Sequence, residues 1–595
     1  MNSVDREKQM KQAEEILGNA PAEPGFAKGL FFGEYRREAL LPYPVREPDA
    51  RVPILLDQLR LFCREQIDPV AIDRQAEIPQ SVIDGLGRIG ILGACLPESA
   101  GGMSLSQTSY CRVLEILGGH CGSTALFVNA HHSIGPRALV LFGNEAQRAK
   151  YLPKLATGEW ISAFALTEPQ AGSDAANVQS QATPTPDGKG FVLNGEKRWI
   201  TNGGISSVLT VMARTPDPKG GDSKITAFVV TPDMPGFRVV EKRMEKMGVR
   251  GTATSRLAFE NLYVPRENVL GQLGKGLRVA LTVLDYGRTT FGASCTGAAK
   301  FCVAGALAHV KQRVQFGEPL ANFELVKQKL AFMEAATFAM ESCTYQTAAL
   351  MDSGHGDFML ETAMLKVFST ELLWTVLNDT FQLHGGLAYF TDQPWERMVR
   401  DARINTIGEG ANDVLRGFSA LVGMRDVGLE LESILNAIYH PLGKLTKLAR
   451  FGGRKLGSLL TSPPIAVRSA ELEPDAAQLS SQIAALGANV EKLLIAHQKE
   501  IVDRQYQLAR IADVATDLYA SSCVLNRLDY LIREHHGDEA SLRRQLETGR
   551  YWLTLSRRRV QGWLASLWSN DDEACTSLAK RMLRAEAAPS HDGHH

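Results

Sequence analysis

The apolar period of this chain changes twice, and that double change restricts the fold more than any single residue does. From about residue 50 to 160, apolar residues recur at intervals of three and four, as in Val52-Pro-Ile-Leu-Leu-Asp-Gln-Leu-Arg-Leu-Phe62, the spacing that collects them on one face of a helix. Pro153 and the Thr157-Gly158 pair are expected to end that region. From about 161 to 270 the period moves towards two. Residues 208–212, 225–230 and 256–259 read as strands, and Asn194-Gly195 within 191–200 reads as a hairpin turn. After Gly276 the helical period returns and runs to about 425. Two helical blocks therefore flank one sheet, giving an α+β chain that is mostly α. At 595 residues the chain is too long for one core. The expected division is a lead segment 1–50, a helical domain 51–160, a β-domain 161–275, a helical bundle 276–425, a basic segment 426–475 and a further helical domain 476–595.

Charge argues against nucleic acid as a partner. The 65 basic and 66 acidic residues leave a net charge of −1, so no global field attracts a polyanion. The nine cysteines contain no Cys-x-x-Cys pair and read as reduced thiols of a cytosol-like compartment; no metal site is expected. No apolar run approaches the roughly 20 residues that span a bilayer. Met1-Asn-Ser-Val-Asp-Arg-Glu-Lys lacks both a secretory apolar core and transit-peptide composition. The expectation is a bacterial cytoplasmic protein.

One segment qualifies that expectation. No acidic residue occurs between Ser433 and Ala470. On a helix, Leu442, Leu445, Leu448, Leu456, Leu459 and Leu460 would share a face opposite Lys444, Lys447, Arg450, Arg454 and Lys455. Such a basic amphipathic helix suits an anionic membrane surface. The alternative is a linker or a bundle helix with a solvated basic face, and Gly443, Gly452, Gly453 and Gly457 weaken any free helix here.

The chemistry centres on Glu409 in Ile407-Gly-Glu-Gly-Ala-Asn-Asp-Val-Leu-Arg416. A carboxylate between two glycines has little bulk around it, so a flat substrate can approach closely, which suits a general base. Alone, Gly-Glu-Gly reads more readily as a solvated turn. Two further segments change that: Phe164-Ala-Leu-Thr-Glu-Pro-Gln-Ala-Gly-Ser-Asp174 and Arg198-Trp-Ile-Thr-Asn-Gly203. With these three segments the chain resembles the acyl-CoA dehydrogenase family. Residues 501–519, together with Gly25-Phe-Ala-Lys-Gly-Leu-Phe-Phe-Gly33 and Pro42-Tyr-Pro44, are similar to its very-long-chain branch, so the resemblance covers about residues 25 to 530.

The resemblance implies a fold of N-terminal helical domain, middle β-domain and C-terminal four-helix bundle, with an extra C-terminal helical domain. It implies FAD as cofactor, an acyl-CoA substrate, an electron-transfer flavoprotein as electron acceptor, and a homodimer. Glu409 would take the α-proton, and its backbone N–H would help hold the thioester oxygen. Leu166 and Thr167 would meet the flavin ring, Trp199 would pack on it with Ile200 beside it and Thr201 near N5, and Ser173 would reach both cofactor and substrate. Arg313 would bind the pyrophosphate and Phe316 the adenine of the neighbouring subunit's FAD, with Gln382, Gly385 and Gly386 on the adenosine side. Ala411, Asp413 and Gln505 complete the implied cofactor set. Ala411 replaces the usual threonine, and Glu324 stands where many members carry glutamine. Arg288 would support the base-bearing loop, Gly408 and Gly410 would give room near the α-carbon, and Leu126 and Ala130 would line the acyl pocket. Set apart from the family, Trp199 reads as a core aromatic and Arg288 as a surface ion pair. No catalytic role is expected of His384, and no Gly-x-Gly-x-x-Gly follows a strand, which disfavours a nicotinamide site.

Three functions fit: a long-chain acyl-CoA dehydrogenase of fatty acid β-oxidation, an oxygen-using acyl-CoA oxidase, and a membrane-associated respiratory assembly or scaffold protein. Nothing in the sequence reports oxygen access, whereas a scaffold has no need of Glu409.

Overall fold

The computed structural model describes residues 25–40, 42–44, 49–217, 220–439, 462–534 and 537–584, the side chains of 434–439 excepted. The basic stretch 441–460, and with it the expected membrane helix, lies outside the described residues.

The N-terminal helices open with local signals that the sequence carries. Asp68 caps Pro69–Gln75 by accepting from the Val70 and Ala71 amides, with proline at the first helical position. Asn144 and Gln147 form a reciprocal capping box at the start of Glu145–Thr157. Pro153 does not end that helix but lies inside it; the stop comes at Gly158, which adopts φ 79°. Tyr151, Leu152 and Leu155 are buried around the proline, so packing outweighs the one lost backbone hydrogen bond.

The β-domain comprises β1 (Ser162–Ala165), β2 (Gln181–Pro184), β3 (Gly190–Ile200), β4 (Val208–Thr215), β5 (Lys224–Val230), β6 (Phe237–Glu241), β7 (Ser255–Pro265) and β8 (Val269–Leu270). Its order is β6-β7-β3-β2-β4-β5-β8, with β1 parallel to β4. The expected Asn-Gly hairpin is absent. β3 is one strand that pairs with β7 on both sides of Asn194-Gly195, where the register shifts. The Asn194 side chain accepts from the Asn261 amide at 2.8 Å. Gly195 takes φ 152°, and a Cβ there would lie 2.2 Å from Ser180 Oγ. The pair makes a bulge that tightens twist instead of reversing the chain.

The bundle is built on Gly276–Gln312, Glu324–Asp352, Met359–His384 and Asn412–Tyr439. The last of these helices continues beyond residue 425 to Tyr439. Gly276–Gln312, the one helix among the described residues long and apolar enough to cross a membrane, is largely buried within the protein.

The additional helices Glu473–His497, Gln505–Arg533, Glu539–Ser566 and Asp572–Arg584 follow. A 3-10 turn, Gln498–Asp503, interrupts the helical period across 490–532. The first three of these helices do not form a separate body: Leu486, Tyr519 and Trp552 share one core with bundle residues such as Met340 and Phe368, and the Phe368 and Trp552 rings meet edge to face at 5.4 Å. The short helix Phe26–Phe31 is entirely buried in that core. Its first turn is held by the bundle, Gly25 N donating to Asp357 Oδ2 at 3.0 Å and Ala27 N to Glu361 Oε1 at 2.8 Å.

Candidate active site

Glu409 lies between the short helix Trp395–Arg403 and the bundle helix Asn412–Tyr439. Its φ is 55° and that of Gly410 is 98°. A left-handed non-glycine residue is uncommon and must be held by its surroundings. Two buried cations hold it. Arg288 Nε donates to the Glu409 carbonyl at 3.4 Å, and Lys366 Nζ donates to the Gly410 carbonyl at 2.7 Å and to Asn412 Oδ1 at 2.9 Å. Arg288 is 4% exposed and paired with Asp285, so the reading of it as a surface ion pair is set aside.

The carboxyl group of Glu409 is treated asymmetrically. Oε1 accepts from Asn129 Nδ2 at 3.2 Å. Oε2 is enclosed and has no hydrogen-bond partner. It lies over Gly287 of Gly276–Gln312, where a Cβ would be only 2.4 Å away. Burial pushes the carboxyl up to about 7, against the pull of Arg288 and Lys366.

A cavity whose wall includes Asn129, the partner of Glu409 Oε1, lies between helices Gln107–His120, Gly122–Val128, Gly276–Gln312, Met359–His384 and Trp395–Arg403. Gly118, Gly122, Leu126, Asn129, Phe291 and Met398 are among its lining residues. Leu126 is therefore on the lining, Ala130 is packed at 4% exposure, and Asn129 is the polar member next to the carboxylate. Gly408 has open space around it, its nearest neighbour being the Ile404 carbonyl.

The residues of the expected flavin site fall into two groups. In the first, Trp199 is half exposed with φ 58°, and the Arg198 guanidinium stands 4.9 Å from its ring centre. It is not a core aromatic. Thr201 follows in a turn and Ser173 is exposed on the preceding loop, while the Ile200 side chain is buried in the β core. The loop carrying Leu166 and Thr167 is pinned by Lys197, whose fully buried ammonium bonds Glu168 Oε1 at 2.6 Å and the Leu166 carbonyl at 3.0 Å; the Thr167 carbonyl accepts from Arg198 N.

The second group is Arg313, Phe316, Gln382, Gly385 and Gly386, all exposed. Phe316 is 94% exposed at φ 54°, and a Cβ at Gly385 or Gly386 would meet nothing within 4 Å. Arg313 lies 25 residues beyond Arg288 on or just after one helix, about 37 Å at ~1.5 Å per residue. Ala411 is half-buried, and Asp413 and Gln505 are exposed. His384 is buried, bonded to the Thr380 carbonyl at 2.8 Å and stacked on His309 at 4.3 Å, a packing role. An open glycine cradle, an exposed guanidinium and a half-exposed tryptophan fit the pyrophosphate and ring of a flavin dinucleotide.

Sequence reasoning missed Asn129 as a contact of Glu409, and it missed Lys366 altogether. The latter left a signal: one cation inside the apolar run Ala363-Met-Leu-Lys-Val-Phe368 needs a buried acceptor.

Comparison with known proteins agrees with this geometry. Residues 53–159 match the acyl-CoA dehydrogenase N-terminal domain, 163–262 the middle domain and 274–422 the C-terminal domain. The chain belongs to the acyl-CoA dehydrogenase family. Residues 470–587 match the ACAD9/ACADV C-terminal domain. The chain is 38% identical over 562 residues to the human mitochondrial very long-chain specific acyl-CoA dehydrogenase, spanning 92% of this chain and 84% of that one. It is 32% identical over 603 residues to the probable acyl-CoA dehydrogenase FadE10 of Mycobacterium tuberculosis, spanning 98% and 91%. A Bacillus anthracis acyl-CoA dehydrogenase crystallised with FAD superposes with a TM-score of 0.79 at 28% identity over 96% of each chain. Family membership makes the protein an FAD-dependent oxidoreductase acting on acyl-CoA.

Proposed function

We propose that the protein catalyses α,β-dehydrogenation of long-chain fatty acyl-CoA to the trans-2-enoyl-CoA, with Glu409 as general base. The observation that carries this reading is the enclosed Glu409 carboxyl, with one oxygen unpaired and the other bonded to Asn129 on the wall of a cavity. Burial places its pKa near 7, where a carboxylate is a stronger base yet still ionised at working pH. Its backbone N–H stands ready to donate to the thioester oxygen as negative charge develops there. FAD, when bound, supplies the acceptor for the hydride that leaves the β-carbon, and an electron-transfer flavoprotein takes the electrons onward. Trp199, Thr201, Leu166, Thr167 and Ser173 hold the flavin and thioester end.

The apolar part of the cavity wall, Leu126 and Phe291 among it, supports an alkyl tail, each buried methylene contributing about 0.8 kcal/mol. Phe127 does not obstruct it, being 1% exposed in the adjoining helical core. The wide separation of Arg313 and Phe316 from Arg288 supports a homodimer in which each copy contributes to the other's FAD. Light scattering that found a FAD-loaded monomer would exclude this. The basic stretch 441–460 supports peripheral contact with an anionic membrane, which vesicle binding at low salt and release at high salt tests.

The deciding experiment is anaerobic titration of the flavoprotein with acyl-CoAs of graded length, for wild type and Glu409→Gln. The variant should keep FAD and bind thioester yet leave the flavin unbleached, because an amide cannot accept the α-proton. Near-normal bleaching would place the base elsewhere.

A further inference from the structure

Glu409 owes part of its geometry to a residue far from its own loop. Asn129 begins the π-helical turn Asn129–Ile134, an irregularity that re-aims side chains within a helical path. It is 1% exposed and its amide lies between Glu409 and Thr290. An ionised carboxylate only accepts hydrogen bonds, so Nδ2 faces Glu409 Oε1 and Oδ1 faces the hydroxyl of Thr290, with which it is hydrogen bonded. Thr290 lies three residues beyond Gly287, the residue over which Oε2 rests. Ser133 Oγ approaches Thr290 Oγ1 at 3.1 Å and closes the network from behind.

Resting on the reading of Glu409 as the base, we propose that Asn129, oriented by Thr290, is a positioning residue for it: it occupies Oε1 and leaves Oε2 as the atom that accepts the proton. A rotating carboxylate would present either oxygen in any direction. One donor on Oε1 fixes the rotation and holds Oε2 over Gly287, where no side chain can displace it. The same donor stabilises the ionised form and lowers the basic group's pKa. The charged groups around the carboxyl are Arg288, with its partner Asp285, from Gly276–Gln312, and Lys366 from Met359–His384. The π turn directs no titratable group at it: His131 bonds Ser162 N and the Leu155 carbonyl, and His132 accepts from Cys95 N.

The test is the pH profile of kcat/KM on a soluble short acyl-CoA for FAD-replete wild type, Asn129→Ala, Thr290→Val and the double variant. Asn129→Ala should move the acid limb upward by about one unit, a roughly tenfold loss of rate below it. Thr290→Val should move the limb in the same direction by less, and the double variant no further than Asn129→Ala alone, because both act through one contact. A purely structural asparagine would lower the melting temperature and leave the limb in place. A folded, FAD-loaded Asn129→Ala with the wild-type acid limb overturns the proposal. That result is separable from an error about the base itself, which would appear as turnover by Glu409→Gln.

Discussion

The ammonium of Lys366, with no exposed surface, donates to the carbonyl of Gly410 at 2.7 Å. It thereby ties the residue after Glu409 to the middle of a bundle helix. The contact explains how a left-handed glutamate persists. Gly410 and Asn412 are both gripped by one cation, Arg288 takes the Glu409 carbonyl, and the strain at φ 55° is distributed over three anchors.

Lys366→Met should therefore damage the site in two ways. Loss of a nearby cation raises the pKa of Glu409, moving the acid limb of kcat/KM upward. Loss of the anchor leaves the buried Gly410 carbonyl and Asn412 side chain short of a donor, at a cost of about 1–3 kcal/mol. A fall in turnover of roughly 100-fold, from a misplaced base, together with a lower melting temperature is expected. A variant that melts lower but keeps the wild-type pH profile would show that the lysine serves stability alone.

Gly287→Ala isolates the placement of the carboxylate. The new methyl would lie within 2.4 Å of Glu409 Oε2 and 3.0 Å of Ile134 Cγ2, so the carboxylate must move. Helix propensity would favour alanine by about 1 kcal/mol, so the fold should not suffer from the backbone change. Turnover should drop about 100-fold while FAD content and thioester binding persist. Stopped-flow flavin reduction on a short acyl-CoA reads the chemical step directly, and an unchanged rate would mean that the carboxylate has room the structure does not show.

What could be read from the sequence, and what could not, follows the range of the interactions. The helix–sheet–helix order depends on local pattern, and the chain displayed it in the helical period at 52–62 and in the continuous, β-branched apolar run at 225–230. The motif around Glu409 was legible only together with 164–174 and 198–203, because glycines on both sides of a carboxylate serve an ordinary turn equally well. Asn194-Gly195 misled because a bulge and a hairpin ask the same backbone freedom of the same two residues; the choice was made by β7, some sixty residues away. Pro153 misled because buried neighbours compensated for it. Lys366 and Asn129 went unread because their partners are 44 and 280 positions distant, and no local pattern encodes which buried acceptor a lone cation or amide will find.

A second buried carboxyl gives a prediction about stability and pH. Glu361, 1% exposed, accepts from Ala27 N where the N-terminal helix meets the bundle. Burial raises its pKa from 4.5 to about 7; the Ala27 amide pulls it down, the neighbouring Asp357 adds to the rise and Lys28 opposes it. Because the folded-state pKa is the higher one, the native protein binds more protons than the unfolded chain between these values. The contribution to stability is therefore fully present below about pH 4.5 and is lost as pH rises through 7. The loss amounts to at most roughly 3 kcal/mol for a shift of this size. Glu361→Gln is neutral at every pH and its Oε1 still accepts from Ala27 N. Melting of the holoenzyme should be similar for both forms near pH 5 and higher for the variant near pH 8, with most of the divergence arising between pH 5 and 7. An offset between the two that stays constant from pH 5 to 8 would mean that Glu361 is ionised in the folded protein throughout, and that the junction of the N-terminal helix with the bundle is not proton-linked.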